Sequence, residues 1–291
     1  MTSVAVWLGT LILFVPTPRG AFVSADSRHD GGDPAKRDQA RKIFLCGRAA
    51  VCAVSGGLRL DASTEEAAGT LDVSASLERT SARMRESENQ SAAVLFETLR
   101  TSMPEEIREF WGKFLAGRRV DAPMSLRLGA PSVCTILFVA PGFVAQMQFP
   151  FTERRLADGT WTHELREPVV RRVDAMRPLA QGHTECLLTP ATLPDSADGV
   201  EELYTPARET PFCRDVIGGP VDIAAIEDGE ARWVRRKVEG TDLASIVLGI
   251  VRLSIRRQSI FSELELSRHS LIKRALSGAE NRQTLSPFGL R

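Results

Sequence analysis

The amino-acid sequence predicts an α+β protein whose centre is an antiparallel β-meander of about five strands. Two segments before the meander carry apolar residues at helical spacing. Of the three segments that follow, one is continuously apolar and two alternate apolar and polar residues, as β-strands do. Short loops that contain glycine join these strands. The meander is expected to pack against N-terminal and C-terminal helices, after a signal peptide and a disordered linker.

Two helices are predicted at the start of the globular domain, which we place at residues 91–278. The first carries apolar residues three and four positions apart, the spacing of one buried helical face. These residues are Ala92, Leu95, Phe96 and Leu99. A second helix is predicted after Ser102, whose hydroxyl would cap it, with Pro104 in its first turn.

The meander is predicted from three segments, at residues 132–140, 143–151 and 160–167. The first is apolar on both faces, as in a strand covered on both sides. The other two alternate, and a Pro-Gly and an Asp-Gly sequence provide the turns. The three segments therefore indicate consecutive antiparallel strands.

The C-terminal part of the sequence is less regular. Strands are predicted at residues 183–189 and 231–239, separated by a loop rich in Pro, Gly and Asp. Residues 243–255 fit a helix or a strand, and a helix is favoured because a Thr-Asp pair before them could cap it. A short amphipathic helix is predicted at 267–276 and a tail at 279–291.

Residues 1–25 have the features of a signal peptide. Their apolar run is shorter than the roughly 20 residues needed to span a bilayer, and two prolines follow it. Small residues precede Ala25, so cleavage is predicted after Ala25 and no stable transmembrane helix is expected in the mature chain. An N-terminal anchor or a buried strand is the alternative interpretation.

Residues 26–90 are predicted as a disordered spacer that contains a short apolar patch at 43–60. Signal peptide, polar spacer and second apolar patch together resemble the bipartite leaders of proteins that pass through the endoplasmic reticulum to a complex plastid. The sequences FVP at residues 14–16 and AFV at 21–23 carry this resemblance, which covers the leader alone. It implies plastid delivery as the alternative to secretion or to the lumen of a vesicle or vacuole.

The charge balance of the chain and the absence of known nucleotide-binding motifs limit the classes of ligand that we expect it to bind. The chain has 37 basic and 37 acidic residues, whereas nucleic-acid-binding domains usually carry net positive charge, so no nucleic-acid partner is expected. Neither a phosphate-binding loop nor a dinucleotide fingerprint occurs, and no cofactor is predicted.

No catalytic or metal site is predicted from the histidines and cysteines. His183 and Cys186 are three apart, which on a strand would place them on opposite faces, away from a common metal ion. A hydrolase that uses His163, His183 or Cys186 is retained as the third functional hypothesis, although no known nucleophile motif surrounds them.

Other positions are assigned structural or modification roles. In an oxidising lumen, Cys186 and Cys213 form the expected disulfide, because they flank a loop-rich region that a cross-link would restrain. Cys134 falls in the predicted core and is expected to be a free, buried thiol. Asn89 begins the glycosylation sequon Asn-Gln-Ser.

One face of the meander is a candidate ligand surface. Its members share one side of the alternating strands: Phe143, Met147, Phe149, Trp161 and His163. A curved sheet could present them to a small apolar ligand, or the predicted helices could bury them as core.

Two main functional hypotheses follow. The first is a non-enzymatic protein of the secretory pathway that binds a protein partner of unknown identity. The second is a lipid or pigment carrier delivered through the endoplasmic reticulum to a complex plastid.

Overall fold

The computed structural model describes residues 1–9, 11–30, 40–188, 190 and 192–236. These form the unit Met1–Lys237 apart from the gaps in that range. The predictions for residues 243–255, 267–276 and 279–291 lie outside the described residues.

Two antiparallel sheets make up the described fold, and the larger has nine strands. Its strands are β1 (Ser3–Gly9), β4 (His29–Asp30), β5 (Ile43–Gly47), β6 (Ala50–Ser63), β7 (Ala68–Asp72), β8 (Ser132–Ala140), β9 (Phe143–Arg155), β10 (Trp161–Leu165) and β11 (Val169–Val173). The main order is β10-β9-β8-β6-β1-β4, with β11 paired to β9 and both β5 and β7 paired to β6. The long strand β6 therefore connects most of this sheet.

The smaller sheet has five strands in the described chain. They are β2 (Leu11–Thr17), β3 (Gly20–Asp26), β12 (Leu179–Gly182), β13 (Val221–Glu227) and β14 (Glu230–Arg235), in the order β12-β2-β3-β13-β14. Strands β2 and β3 are almost entirely buried, as expected for strands with a covered sheet face on each side.

Helices cover the outer faces of the two sheets. The helices are α1 (Val73–Glu86), α2 (Ala92–Phe114), α3 (Met124–Leu128), α4 (Ala197–Glu202), α5 (Thr205–Glu209) and α6 (Pro211–Val216). One core joins α1 and α2 to the nine-stranded sheet, a second lies between the sheets, and a third joins the five-stranded sheet to α4 and α6. The result is a four-layer α-β-β-α arrangement.

The predicted α+β class and the meander are confirmed, but the extent of the sheet is not. Strands β8, β9 and β10 pair consecutively and antiparallel, as expected. The prediction of about five strands is wrong, because the described residues form a nine-stranded and a five-stranded sheet. Several of the additional strands come from the segments assigned to the leader and spacer.

The disordered spacer predicted at residues 26–90 is wrong for the described part of that range. It contains β4 to β7 and helix α1, whose N-terminus is capped by the Asp72 side chain through the Ala75 N–H at 2.8 Å. Apolar residues of this range, such as Leu71, Val73 and Leu77, reach the core, and small polar residues of α1, such as Ser76 and Thr80, are buried beside them. Tertiary burial thus compensates for weak local periodicity.

Residues 1–25, predicted as a signal peptide, lie in the first three strands. A short apolar run fits a signal peptide and a doubly buried strand equally well, because both need only continuous apolar side chains. Cleavage after Ala25 stays a prediction. It would remove β1, β2 and all but the last residue of β3.

Two smaller corrections concern the helix and strand boundaries. The two helices predicted around Ser102 are one helix, α2, which continues through Pro104 with Leu99 and Ile107 buried on either side of it. The strand predicted at residues 183–189 is wrong, since Thr184–Cys186 form a 3₁₀ turn. The predicted strand at 231–239 corresponds to β14 in its described part.

Candidate functional site, a buried lysine–aspartate pair beside a polar cleft

A lysine and an aspartate meet in the interior of the fold. Asp26 is the last residue of β3, and Lys42 directly precedes β5. Lys42 Nζ lies 2.7 Å from Asp26 Oδ1, and each side chain is only 1% exposed. The ion pair therefore connects a strand of one sheet to the start of a strand in the other.

Backbone groups complete the surroundings of the Asp26 carboxylate. Oδ1 also accepts the N–H of Leu11 at 3.1 Å. Oδ2 accepts the N–H of Arg28 at 3.2 Å and that of Gly218 at 3.4 Å. These hydrogen bonds hold the carboxylate in one orientation.

A buried tyrosine extends this polar cluster. The hydroxyls of Tyr204 and Ser24 are 2.9 Å apart. Burial raises the pKa of Tyr204 well above its ordinary value, the hydrogen bond to Ser24 opposes this, and the negative charge of Asp26 adds to it. Tyr204 is therefore a neutral hydrogen-bonding group in the wall of the site.

Strand β1 runs into the site in a slot between two other strands. It pairs antiparallel with β6 on one side and with the two residues of β4 on the other. At the end of β1, Gly9 is paired with Gly56 and with His29. Gly56 has φ +87°, and a Cβ added there would lie 3.1 Å from the Cα of Cys134, so the close approach of the strands favours glycine.

A polar cleft of about 600 Å³ adjoins the end of β1. Leu8 of β1 and Gly56 of β6 line it, and Gly182 of β12 lines it from the other sheet. Gly182 is the strand partner of Leu11, whose N–H donates to Asp26. Leu11 thus connects the two features, through its N–H to Asp26 and through its strand pairing to Gly182 at the cleft.

The predicted ligand face is packed as core for most of its length. Met147 and Phe149 are buried in the core that the helices share with the nine-stranded sheet, and the Phe143 ring lies 5.3 Å from that of Phe96 on α2. Trp161 is partly exposed and pairs through its backbone with Val120. Binding of an apolar ligand there stays a prediction and would require α2 to move.

His163 is buried near the same face. Its Nε2 accepts the N–H of Met124 at 3.2 Å and lies 3.5 Å from Glu153 Oε2. Burial lowers the pKa of His163, the charge of Glu153 and a hydrogen bond with it oppose this, and Arg127 adds to the lowering. The ring is therefore held neutral, as an acceptor for the start of α3.

The predicted disulfide is confirmed, since Cys186 and Cys213 are bonded to each other. Cys186 consequently has no thiolate to offer the hydrolase hypothesis that names it. His183 precedes the 3₁₀ turn and pairs its Nδ1 with Glu185 Oε1 at 2.8 Å, and this hydrogen bond lowers the pKa of Glu185. Cys134 is free and buried, as predicted.

The remaining predictions concern the surface. Asn89 is exposed between α1 and α2, where its side chain accepts the N–H of Ser91 at 3.0 Å. Among the described residues there is no group of three or more His, Cys, Asp or Glu placed to hold a metal ion. Within the same residues, no helix is both long and apolar enough to cross a membrane.

The lysine–aspartate pair does not follow from the sequence patterns, since Asp26 and Lys42 both fall in the predicted spacer. A usable signal exists, because each is a charged residue at the end of an apolar run that forms a buried strand. A charge at such a position must be neutralised by a partner, which only the tertiary structure identifies.

Fold and site define a four-layer α-β-β-α protein with a buried lysine–aspartate pair beside a polar cleft. No protein-family model matches the chain, and a search of curated proteins finds no match. Among solved structures, the chain is similar to Anbu (ancestral beta-subunit) from Yersinia bercovieri, at 13% sequence identity and a TM-score of 0.42. The alignment covers 86% of this chain and 97% of that chain.

A second solved structure, Anbu from Hyphomicrobium sp. strain MC1, is similar at 12% identity with a TM-score of 0.42. It covers 86% of this chain and 97% of its own. The function is therefore inferred from the geometry of the lysine–aspartate pair and the cleft.

Proposed function

We propose that this protein is a hydrolase of amide bonds whose nucleophile is the hydroxyl of Thr10, active after the chain cleaves its own Gly9–Thr10 bond. Thr10 itself lies outside the described residues. The observation that carries the proposal is the buried Lys42–Asp26 pair, hydrogen-bonded to the N–H of Leu11, the next residue after Thr10 in the sequence. A buried charge is costly unless it is paired and hydrogen-bonded, and this pair meets both conditions, with one hydrogen bond from the residue that directly follows Thr10.

The chemistry follows from the residue types. A threonine hydroxyl is a weak nucleophile until a neighbouring base accepts its proton. In the first reaction the hydroxyl attacks the Gly9 carbonyl carbon, the C–N bond breaks, and an ester forms. Water then hydrolyses the ester, releases residues 1–9 and leaves Thr10 with a free amino group.

That amino group would be the base in later turnovers, as in other enzymes with an N-terminal threonine nucleophile. The ammonium of Lys42, held in place by Asp26, would stabilise the negative charge that develops on the threonine oxygen. Gly56 pairs with Gly9, so the backbone of Gly56 lies beside the residue whose carbonyl would be attacked.

The position of β1 supports a peptide as substrate. With residues 1–9 in place, β1 occupies the slot between β6 and β4 as an extended strand. Release of this segment would free backbone groups of both neighbours, and an extended peptide could pair with them in the same way. The proposal therefore predicts that the uncleaved chain is inactive.

N-terminal sequencing and intact mass of the purified full-length protein provide the test. We expect a mature chain that begins at Thr10 and hydrolyses fluorogenic peptide amides. The Thr10→Ala variant should keep residues 1–9 and be inactive, and Thr10→Ser should be processed more slowly. A mature chain that begins at Asp26 would instead support the signal peptide and contradict the proposal.

A retained Met1 or Thr2 together with no amidase activity would also contradict it. Lys42→Met should block both processing and turnover, and circular dichroism would show whether this variant is folded. Arg100→Ala, which removes an exposed ion pair on α2, is the matched control and should be processed normally.

A second candidate function, a binding protein of an oxidising lumen, is favoured by the Cys186–Cys213 disulfide. Disulfides form and persist mainly in such compartments. Imaging of a C-terminally tagged protein in its own cell tests the secretory location, with a complex plastid as the alternative outcome. A cytosolic location would contradict this candidate and leave the hydrolase proposal untouched.

A further inference from the structure

The cleft beside β1 contains a buried donor that lacks a partner. Gln181 is 8% exposed and lines the cleft. Its Oε1 accepts the hydroxyl of Ser55 at 3.3 Å, whereas its Nε2 has no hydrogen-bond partner in the described part of the chain. A buried N–H₂ without a partner is energetically unfavourable, so the arrangement indicates an acceptor supplied by a ligand.

The cleft lining also includes one guanidinium group. Arg171 of β11 lines it beside Gln146 and Gln148 of β9. None of the described residues that line the cleft is acidic. The charge and the unpaired amide together favour a ligand group that accepts hydrogen bonds and carries negative charge.

We propose that this cleft binds an acidic side chain of the peptide substrate, with the Gln181 amide and the Arg171 guanidinium donating to its carboxylate. The proposal rests on the proposed function and specifies its substrate class. The substrate residue lies close to the cleaved bond, because Leu8 and Gly56 line the cleft and Gly9 pairs with Gly56.

Fluorogenic peptides that differ only in one residue near the cleaved bond test this specificity. With Glu there, kcat/KM should exceed that with Gln or Lys by about 10- to 100-fold, the effect of one or two charge-assisted hydrogen bonds. Arg171→Gln should remove most of the preference for Glu. Arg172→Gln is the matched control, because the Arg172 guanidinium lies over the Phe143 ring at 3.4 Å instead.

Equal rates for the Glu and Lys peptides would overturn the specificity proposal while leaving the hydrolase proposal intact. If no peptide is cleaved, the cleft is tested separately by titration calorimetry of N-acetylglutamate amide into the full-length Thr10→Ala variant. This variant is suitable because the cleft exists with β1 in place. Binding that Arg171→Gln weakens would support the cleft as an acid-binding site. No binding would overturn it.

A separate observation concerns Cys46 and Cys52, which face each other across the β5–β6 hairpin. Their Sγ atoms are 3.0 Å apart and both residues are fully buried. The register shift between Leu45 and Gly47 places Cys46 at a bulge. Burial raises the pKa of the Cys46 thiol, and the neighbouring Cys52 adds to this.

We infer that Cys46 and Cys52 form a second disulfide when the protein meets a disulfide oxidant. With oxidised glutathione, the two thiols lose two protons and two electrons, one S–S bond forms, and two molecules of reduced glutathione leave. The cross-link would join β5, which Lys42 directly precedes, to β6, which contains Gly56.

Thiol counting by alkylation and mass spectrometry tests this inference. The full-length chain is incubated, or refolded from urea, with oxidised glutathione and then alkylated after denaturation. Of the three free cysteines, Cys46, Cys52 and Cys134, only Cys134 should remain reactive, and Cys52→Ser should leave two. Three alkylated thiols after both treatments would overturn the inference.

Discussion

Lys42 Nζ and Asp26 Oδ1 are 2.7 Å apart, at a point where the two sheets meet. Asp26 ends β3 of the five-stranded sheet, and Lys42 leads into β5 of the nine-stranded sheet. Because both side chains are almost completely shielded from water, the pair contributes to holding the sheets in register as well as to the proposed chemistry.

Breaking the Lys42–Asp26 pair should destabilise the protein strongly. Asp26→Asn leaves the lysine charge buried without its carboxylate, and loss of one partner of such a pair costs about 3–5 kcal/mol. The double variant Asp26→Asn/Lys42→Met should recover much of this. Urea denaturation of Asp26→Asn, of Lys42→Met and of the double variant measures these losses, and additive losses in the double variant would contradict the coupling.

Acid should destabilise the fold through His163. Because burial lowers its pKa in the folded state, the unfolded chain binds the extra proton first, so stability falls as the pH drops below about 6.5. The loss continues until the pH reaches the lowered folded pKa and then stops. Urea midpoints between pH 5 and 8 measure this slope.

His163→Asn keeps an acceptor for the Met124 N–H and should flatten that slope. His183→Gln, which replaces an exposed ring, should leave the slope of stability against pH unchanged. An unchanged slope in His163→Asn would show that other groups cause the acid sensitivity.

Loss of the Cys186–Cys213 disulfide should lower stability by about 3.5 kcal/mol, the loop-closure value for its sequence separation of 27 residues. The double variant Cys186→Ala/Cys213→Ala is compared with wild type by urea denaturation without reductant. Dithiothreitol should lower the wild-type midpoint and leave that of the double variant unchanged. Equal midpoints for both proteins would contradict a stabilising bond.

Gly69 allows β7 to pack closely against α2. A Cβ at this position would overlap the Phe114 ring, so Gly69→Ala should cost about 1–3 kcal/mol. Phe114→Leu in the same chain should relieve part of that loss. Gly112→Ala is the control, because nothing lies near its Cβ and alanine favours a helix by about 0.5–1 kcal/mol.

Local patterns predict the parts of the fold whose side chains already show one regular period. Strands β8 to β10 and the buried face of α2 are of this kind, and the Cys186–Cys213 pair follows from its place in a loop-rich region. The segments around β5 to β7 mislead because polar residues interrupt their apolar runs. Their burial depends on contacts with residues far away in the sequence.

The sequence by itself determined the α+β class and the meander, because these depend on periodicity along the chain, and its loop-rich region indicated the disulfide for an oxidising compartment. Only the tertiary structure decided that the first strands belong to two packed sheets and that Asp26 faces Lys42. An apolar run shows that its side chains avoid water, but it does not show which residues cover them. A charged residue at the end of such a run likewise needs a counter-charge, and only the fold brings Lys42 Nζ within 2.7 Å of Asp26 Oδ1.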